Sequence, residues 1–430
     1  MTFRVGVDGY NLAMPHGTGV ASYGAALVQT LRTMGCEVTG VFGIDVRGAA
    51  SGRETLFFDR LQQPVRRRQS GMVRWANALL RPLRPVALED VPLTDLVEKR
   101  GLQERFPTFD RLTTRADLFA MADRHFRKTG RFTTVRMIDP PAIMHWTYPV
   151  PVRLAGARNI YTIHDLVPLK IPYATADDKR YYRRLIAACL AQADRICTIS
   201  EASRADILAQ FGIAADQVTN CYQTISIGDA AEDDSGPTIV EGLFTLPDRG
   251  YFLFYGAIEP KKNVQRLLEA YLSLDTKTPL VVVGRAWAGP AAAMLPDGML
   301  GDSRFSERIV RLEYLPRRVL LQLIRRARAV VFPSLYEGFG LPVLEAMTLG
   351  TPILTSNVSA MPEIAGSAGL LVDPYDVVAI ADGLRRLDDD AGLRDNLVRA
   401  GRDQALRFGA SPYRERLGAM YAAVLNQATR

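Results

Sequence analysis

Short apolar segments alternate with longer helix-like stretches along this chain, and the alternation occurs twice. The first series has its apolar segments at 3–8, 37–44, 142–146, 159–165, 195–200 and 217–223. The second series has them at 251–257, 279–284, 308–315, 329–334, 352–356 and 369–374. Strands that alternate with helices form parallel sheets covered by those helices. The sequence therefore predicts an α/β protein with two doubly wound, Rossmann-like domains in tandem.

The two series are separated by residues 226–249, which are acidic, then rich in glycine and proline, as is typical of a linker. We expect an N-terminal domain over 1–225 and a C-terminal domain over 250–408. A last helix, 409–430, is expected to pack back on the first domain. Residues 47–137 are rich in arginine and fit the alternation poorly, so we interpret them as an insertion.

The composition bounds the class of protein. The four cysteines are scattered without a CxxC pair, which argues against a zinc site or a disulfide framework and suits a reducing cytoplasm. Arg4 and Asp8 interrupt the first apolar stretch, which indicates a strand and not a signal peptide. The chain has no apolar run long enough to predict a membrane span. A net charge of +7 favours anionic partners such as nucleotides, phospholipids or nucleic acid.

A core-like segment at 329–356 contains two glutamates, Glu337 and Glu345. Between them lies a short glycine loop: Gly338, Phe339, Gly340 and Leu341. The loop follows a strand, and ligands of such sheets bind at the carboxyl ends of the strands. With Pro342 as the first helical residue, the loop amides would be free to bind phosphate or sugar oxygens. Carboxylate oxygens accept hydrogen bonds from pairs of sugar hydroxyls. Alternatively, Glu337 is a solvated loop residue, and Glu345 is an acidic residue favoured near the start of a helix.

Three further groups of residues follow strands at the same edges. Lys261 and Lys262 begin a helix, where cations are disfavoured, so either a bound anion or a solvated turn explains them. His164 follows a strand of the first domain, where it is either structural or part of the cleft. Gly17 and Gly19 form a second glycine loop, spelled G-x-G-x4-G, which departs from the dinucleotide fingerprint.

These motifs resemble those of glycosyltransferase family 4, retaining enzymes of the GT-B fold, and of its mannosyltransferase-like branch. In the first domain the resemblance rests on VGVDGYNL, GTGVASY, TIHDLVPL and ADRICTISEASRADIL. In the second domain it rests on GAIEPKKN, the whole of 311–356, MPEIAG and LLVDP. It covers nearly the whole chain except about 47–137. The resemblance implies two Rossmann-like domains that face each other across a cleft.

The resemblance also implies a role for the site residues. Glu337 would hold the donor sugar near its reacting carbon, and Glu345 would hold the ribose of the nucleotide. The amides of the glycine loop would contact sugar and diphosphate. Lys262 would offset the charge of the departing phosphate, and His164 would contact the sugar from the opposite domain.

Other donor contacts are implied at the periphery. Gly17 and Gly19 would lie near the diphosphate and the acceptor. The base would rest against backbone around Tyr314 and Leu315. Many relatives have arginine where this chain has Ala257, so Lys261 or Arg285 would substitute for it. No metal and no cofactor are expected, and the one Asp-x-Asp pattern, within 388–390, is expected in a surface loop.

The sequence is thus interpreted as a cytoplasmic, retaining, metal-independent glycosyltransferase. It would move a hexose, with mannose favoured, from a GDP- or UDP-linked donor to a glycan or lipid-linked acceptor in polysaccharide or glycolipid biosynthesis. The alternatives are a GT-B-type sugar-nucleotide epimerase, a phosphorylase-like enzyme, or a non-catalytic nucleotide-sugar-binding protein. Nucleic acid is not an expected partner, because the basic 60–136 region lacks interleaved aromatic residues.

Residues 60–84 contain seven arginines and no acidic residue. Their apolar residues, including Trp75, fall at helical spacing. A basic amphipathic helix with tryptophan is suited to an anionic membrane surface. We expect this segment either to attach the protein to the inner leaflet or to pack on its own domain with solvated arginines.

Overall fold

The structure is a computed structural model. It describes residues 3–14, 19–47, 52–62, 85–94, 97, 106–225, 239–240, 244–245, 247–285 and 308–427. Within these residues the chain forms two α/β domains, each built on a largely parallel sheet. The doubly wound architecture predicted from the sequence is confirmed.

The first domain contains an eight-stranded sheet of order β11-β10-β9-β7-β1-β2-β5-β4 and a small parallel sheet of order β3-β6-β8. Only β4 runs antiparallel to its neighbour among these strands. The strands are β1 (Arg4–Asp8), β2 (Glu37–Phe42), β3 (Val86–Ala87), β4 (Glu89–Val91), β5 (Arg111–Thr114), β6 (Thr133–Arg136), β7 (Ile143–Trp146), β8 (Val152–Leu154), β9 (Arg158–Thr162), β10 (Arg195–Thr198) and β11 (Val218–Asn220). The helices are α1 (Gly19–Thr33), α2 (Arg53–Gln62), α3 (Leu118–Thr129), α4 (Val167–Lys170), α5 (Lys179–Gln192) and α6 (Glu201–Phe211).

The second domain contains a six-stranded parallel sheet of order β16-β15-β14-β17-β18-β19. Its strands are β14 (Phe252–Tyr255), β15 (Leu280–Val283), β16 (Ile309–Leu312), β17 (Ala329–Phe332), β18 (Ile353–Ser356) and β19 (Gly369–Val372). Its helices are α7 (Val264–Leu272), α8 (Arg317–Arg326), α9 (Leu341–Thr348), α10 (Met361–Ala365), α11 (Val377–Asp389) and α12 (Ala391–Leu406), and α13 (Ala410–Leu425) follows. A two-stranded hairpin, β12 (Ile239–Val240) and β13 (Phe244–Thr245), lies between the two domains in sequence.

The strand order of the second sheet reverses between β14 and β17. Connections on one side of this point cover one face of the sheet, and those on the other side cover the opposite face. The loops after β14 and β17 therefore separate there and leave a crevice at the carboxyl edge, where ligands of such sheets bind. These are the loops that carry the lysine pair and the Glu337 glycine loop.

The interpretation of 47–137 as an insertion is wrong for its C-terminal part. Strand β5 pairs with β2 in the main sheet, in parallel, with Gly40 opposite Leu112. Helix α3 then packs Phe119 and Phe126 into the domain core. The strand has only four residues, Arg-Leu-Thr-Thr, so it lacks the apolar run that marks the other strands.

The last helix, α13, packs on the first domain although it follows the second. Its Tyr421 hydroxyl lies 2.6 Å from Nδ1 of His145, which is fully buried in strand β7. Tyr413 and Leu417 are fully buried on the same helix. Helix α13 therefore ties the two domains together.

The aspartates at 388–390 are not in a surface loop, contrary to expectation. Asp388 and Asp389 end helix α11, and Asp390 caps helix α12. Asp388 accepts a 2.7 Å hydrogen bond from Thr278 and forms an ion pair with Arg328. Asp388 and Asp390 thus have structural roles. None of the helices in the described part of the chain is long and apolar enough to cross a bilayer.

Candidate functional site

Lys262 and Glu337 form an ion pair at the point where the strand order reverses. Lys262 ends a 3-10 turn after β14, and Glu337 follows β17, so the two neighbouring strands bring them together. Their side chains are only 13% and 10% exposed. Burial alone would raise the pKa of Glu337, but the ammonium groups of Lys262 and Lys261 outweigh it and lower that pKa. The site therefore holds a buried carboxylate and a buried ammonium.

Lys261 lies beside this pair and faces the first domain. Its ammonium is 3.5 Å from a carboxylate oxygen of Glu259. Burial works against its charge, but the carboxylates of Glu337, Asp165 and Glu259 outweigh burial and raise its pKa. Lys261 is thus charged at neutral pH.

Asn263 follows the lysines and was not predicted from the sequence. It has a left-handed φ of 60°, and it separates the 3-10 turn from helix α7, so the lysines precede that helix instead of starting it. Its buried amide donates to the carbonyls of Pro333, at 3.0 Å, and Pro374, at 2.7 Å. Asn263 therefore fixes the lysine loop to the loops after β17 and β19. A lone asparagine between charged and apolar residues gives no sequence signal for this role.

Glu345 is buried about one turn into helix α9, behind the glycine loop. One carboxylate oxygen lies 2.6 Å from Arg317, and the other accepts a 2.8 Å hydrogen bond from the Tyr255 hydroxyl. Carboxylate oxygens accept more than one hydrogen bond each, so these partners leave capacity for a ligand hydroxyl.

The glycine loop is packed more tightly than the sequence suggests. A Cβ at Gly338 would lie 2.5 Å from the carbonyl oxygen of His164 in the first domain. Gly340 has a φ of 102°, which favours glycine. The Phe339 side chain is 2% exposed and meets Phe408 edge-on, so it belongs to the core and only its amide can serve a ligand. Helix α9 begins at Leu341, one residue before the proline that was expected to begin it.

His164 lies directly opposite this loop. Its Nε2 donates a 2.8 Å hydrogen bond to the carbonyl oxygen of Thr147, and its ring packs edge-on against Tyr23, with centroids 4.9 Å apart. Burial lowers its pKa below the ordinary value, against the effects of the Thr147 hydrogen bond and of Asp165. His164 is therefore neutral at pH 7, with Nε2 protonated and a lone pair on Nδ1.

A cavity of about 270 Å³ opens between the domains beside His164. The first domain lines it with aromatic, hydroxyl and carboxylate groups, and the second contributes a carboxylate and an ammonium. The principal polar and aromatic groups are Tyr148, Asp165, Thr175, Asp177, Tyr182, Glu259 and Lys261. Aromatic faces beside hydroxyl and carboxylate groups suit a polyhydroxylated ligand.

The remaining predicted donor contacts are Gly17, Gly19, Arg285, Tyr314 and Leu315. Gly17 is outside the described residues, but a Cβ at Gly19, the first residue of helix α1, would be 3.5 Å from the Leu341 side chain. Arg285 is exposed at the end of β15, and its carbonyl accepts a 3.0 Å bond from Ile258. Tyr314 is 80% exposed beyond β16, and Leu315 is half-buried. Tyr314 and Leu315 therefore follow a strand that lies two positions from β14, the strand that precedes the lysines.

Two family models match this chain. The model described as Glycosyltransferase Family 4 matches residues 96–225, and the model described as Glycosyl transferases group 1 matches residues 240–404. The chain is 36% identical over 258 residues to O-antigen chain mannosyltransferase B of Escherichia coli, covering 58% of this chain and 66% of that protein. It is 30% identical over 261 residues to the serotype-specific mannosyltransferase WbdA of Escherichia coli, covering 58% of this chain and 32% of that one. The matches thus span about two thirds and one third of these relatives.

Solved structures agree on the fold. Sucrose-phosphate synthase from Thermosynechococcus elongatus is 19% identical with a TM-score of 0.63, over 98% of this chain and 99% of that one. Anabaena Alr3699/HepE in complex with UDP-glucose is 13% identical with a TM-score of 0.64, over 98% of this chain and 100% of that one. These likenesses show that the chain has the GT-B architecture. The two family models, which between them match residues 96–225 and 240–404, show that the chain belongs to the family 4 glycosyltransferases.

Proposed function

We propose that this protein transfers a hexose from a nucleotide-sugar donor to a saccharide acceptor, with retention of anomeric configuration. The observation that carries the proposal is the buried Lys262–Glu337 pair at the strand-order reversal, beside the glycine loop and opposite His164. An ammonium there suits a diphosphate leaving group, and a carboxylate suits the hydroxyls of a sugar.

The relatives' names support the choice of substrates. Proteins named as O-antigen mannosyltransferases are among the similar sequences, so mannose is the hexose we favour, with GDP or UDP as the carrier. The acceptor would be a glycan or a lipid-linked saccharide in polysaccharide or glycolipid biosynthesis. The aromatic and carboxylate lining of the interdomain cavity fits the end of such an acceptor.

The transfer would proceed on one face of the sugar. The bond between the anomeric carbon and the phosphate oxygen breaks, and the acceptor oxygen forms its bond on the same face. The acceptor proton passes to the leaving phosphate, whose growing negative charge Lys262 stabilises. Neutral His164 accepts a hydrogen bond from a sugar hydroxyl at Nδ1, and domain closure excludes water that would hydrolyse the donor.

Competing functions differ in what they would produce. The comparisons give no support to the sugar-nucleotide epimerase, which would release an isomerised nucleotide sugar without an acceptor. A non-catalytic binding protein would bind the nucleotide sugar and release it unchanged.

Transfer is expected to be independent of divalent metal, since lysines and loop amides supply the positive charge. Initial rates with GDP-mannose and UDP-glucose would be compared with and without excess EDTA, and the product anomer read by proton NMR. We expect equal rates and a product with the donor's configuration. Loss of activity that magnesium or manganese restores would contradict the metal-independent site, and an inverted anomer would contradict the retaining mechanism.

We further propose peripheral attachment to the inner face of the cytoplasmic membrane through the arginine-rich segment 60–84. Its residues 63–84 lie outside the described part of the chain, so the proposal rests on sequence alone. Each basic group near an anionic surface contributes on the order of 1 kcal/mol.

Liposome sedimentation tests this attachment. Binding should require anionic lipid, decrease with salt, and fall when Arg66, Arg67 and Arg68 are replaced by serine. Equal recovery in the supernatant with anionic and neutral vesicles would contradict the proposed attachment.

A further inference from the structure

The first turn of helix α6 contacts both domains. Ser203 is fully buried there, and its hydroxyl lies 2.8 Å from the carbonyl oxygen of His164 and 3.2 Å from that of Gly338. His164 belongs to the first domain and Gly338 to the second. A hydroxyl has one proton to donate, so a carbonyl from each domain shares it.

A carboxylate from the second domain caps the same turn. The two oxygens of Glu363, on helix α10, accept hydrogen bonds from the amides of Glu201, at 2.8 Å, and Ala202, at 3.1 Å. The first amides of a helix lack partners within it and carry the positive end of its dipole. The cap of helix α6 is therefore completed from across the domain boundary.

A third contact lies one turn further along. Asp206 accepts a 2.6 Å hydrogen bond from the Tyr336 hydroxyl of the second domain and lies 2.6 Å from the Lys170 ammonium. Residues three apart share a helix face, so Ser203 and Asp206 present one face of α6 to the second domain. Tyr336 stands immediately before Glu337 of the site.

These contacts join two loops that the proposed function places on the same ligand. The Ser203 hydroxyl contacts the backbone carbonyls of both His164 and Gly338. The two loops are so close at this point that a side chain at Gly338 would clash with the His164 carbonyl. A change in this contact would alter the separation between the His164 ring and the loop amides, although Ser203 touches neither reacting atom.

We propose that Ser203 is a positioning residue for the transfer reaction, and that it and Glu363 hold the domains in the arrangement in which His164 and the glycine loop face one donor. The expected effect of Ser203 on the rate rests on the proposed function. Its effect on the arrangement of the two domains does not, and it can be measured without an activity assay.

The test compares Ser203→Ala with Ser200→Ala. Ser200 is buried in the same turn and caps α6 by accepting a 3.0 Å bond from the Ser203 amide, entirely within the first domain. Small displacements of reacting groups cost rate steeply, so we expect Ser203→Ala to lower kcat about tenfold while donor KM changes little. Ser200→Ala should lower Tm at least as much, with kcat near that of the wild type.

Interdomain distance supplies a readout that does not depend on activity. Spin labels at cysteines introduced at the exposed positions Ala187 and Arg385 would report it, because the four native cysteines are buried. We expect Ser203→Ala and Glu363→Ala to lengthen or broaden the distance distribution, and Ser200→Ala to leave it unchanged.

The outcomes separate the two proposals. Equal losses of kcat in Ser203→Ala and Ser200→Ala, or unchanged distances in Ser203→Ala and Glu363→Ala, would overturn the positioning role. A wild-type protein that transfers no sugar while these distances change as expected would refute the proposed function and support the domain contact.

Discussion

Replacing Lys262 by alanine is expected to lower kcat by about 10²–10³-fold, the typical cost of removing one group that stabilises transition-state charge. The ammonium is held by Glu337 and lies 4.7 Å from the centroid of the Phe332 ring, so its position is set before a donor binds. A preorganised charge acts on the developing phosphate charge without reorganisation. Steady-state kinetics at saturating donor measure the effect.

The same substitution should also destabilise the protein, since it leaves the buried Glu337 carboxylate without its closest cation. Lys261 remains nearby and limits the loss, which we expect at about 1–3 kcal/mol of unfolding free energy. Adding Glu337→Gln to Lys262→Ala should recover most of this stability and none of the kcat. Denaturant unfolding and kinetics on the single and double variants separate the two effects.

Lys277 offers a matched control, because it is an exposed lysine of the same domain. Lys277→Ala should leave kcat and stability near the wild-type values. A kcat of Lys262→Ala within about threefold of wild type would correspond to less than 1 kcal/mol of barrier height. That result would mean that a group other than Lys262 stabilises the charge of the leaving phosphate.

The residues of the site could be identified from the sequence, but the contacts between them could not. Glu337 and Lys262 were each assigned from their own motif, with separate roles. Their pairing depends on β14 lying beside β17, although Lys262 and Glu337 are 75 positions apart. Strand order is a property of the whole sheet, which local apolar patterns do not encode.

The same reasoning explains what the sequence did not reveal. Asn263 and Ser203 are small polar residues that lie within recognised motifs, but neither the residue types nor their neighbours in sequence indicate which groups they contact. Their partners lie 70 and 135 positions away along the chain, at Pro333 and Gly338. Strand β5 was missed for a different reason, because two of its four residues are threonines and its apolar content is low.

Gly338→Ala is expected to hold the cleft open and to lower kcat/KM by about 10²-fold or more, as misplacement of reacting groups by about 1 Å does. The added Cβ would lie 2.5 Å from the carbonyl oxygen of His164 and 2.9 Å from Cβ of Asp165. Both neighbours are backbone or the first side-chain atom, so neither can rotate away. One domain must therefore move relative to the other, or the loop must shift.

The control for this substitution is Gly52→Ala, where the added Cβ meets no atom within 4 Å. We expect Gly52→Ala to retain wild-type kcat/KM and Gly338→Ala to retain a folded second domain, seen as donor-dependent protection from heat. Folding is expected to survive because the strain falls on the contact between the domains, and overpacking typically costs about 1–3 kcal/mol. Wild-type kcat/KM in Gly338→Ala would mean that the His164 and Gly338 backbones separate during turnover, and that the close contact between these loops is not part of the reacting arrangement.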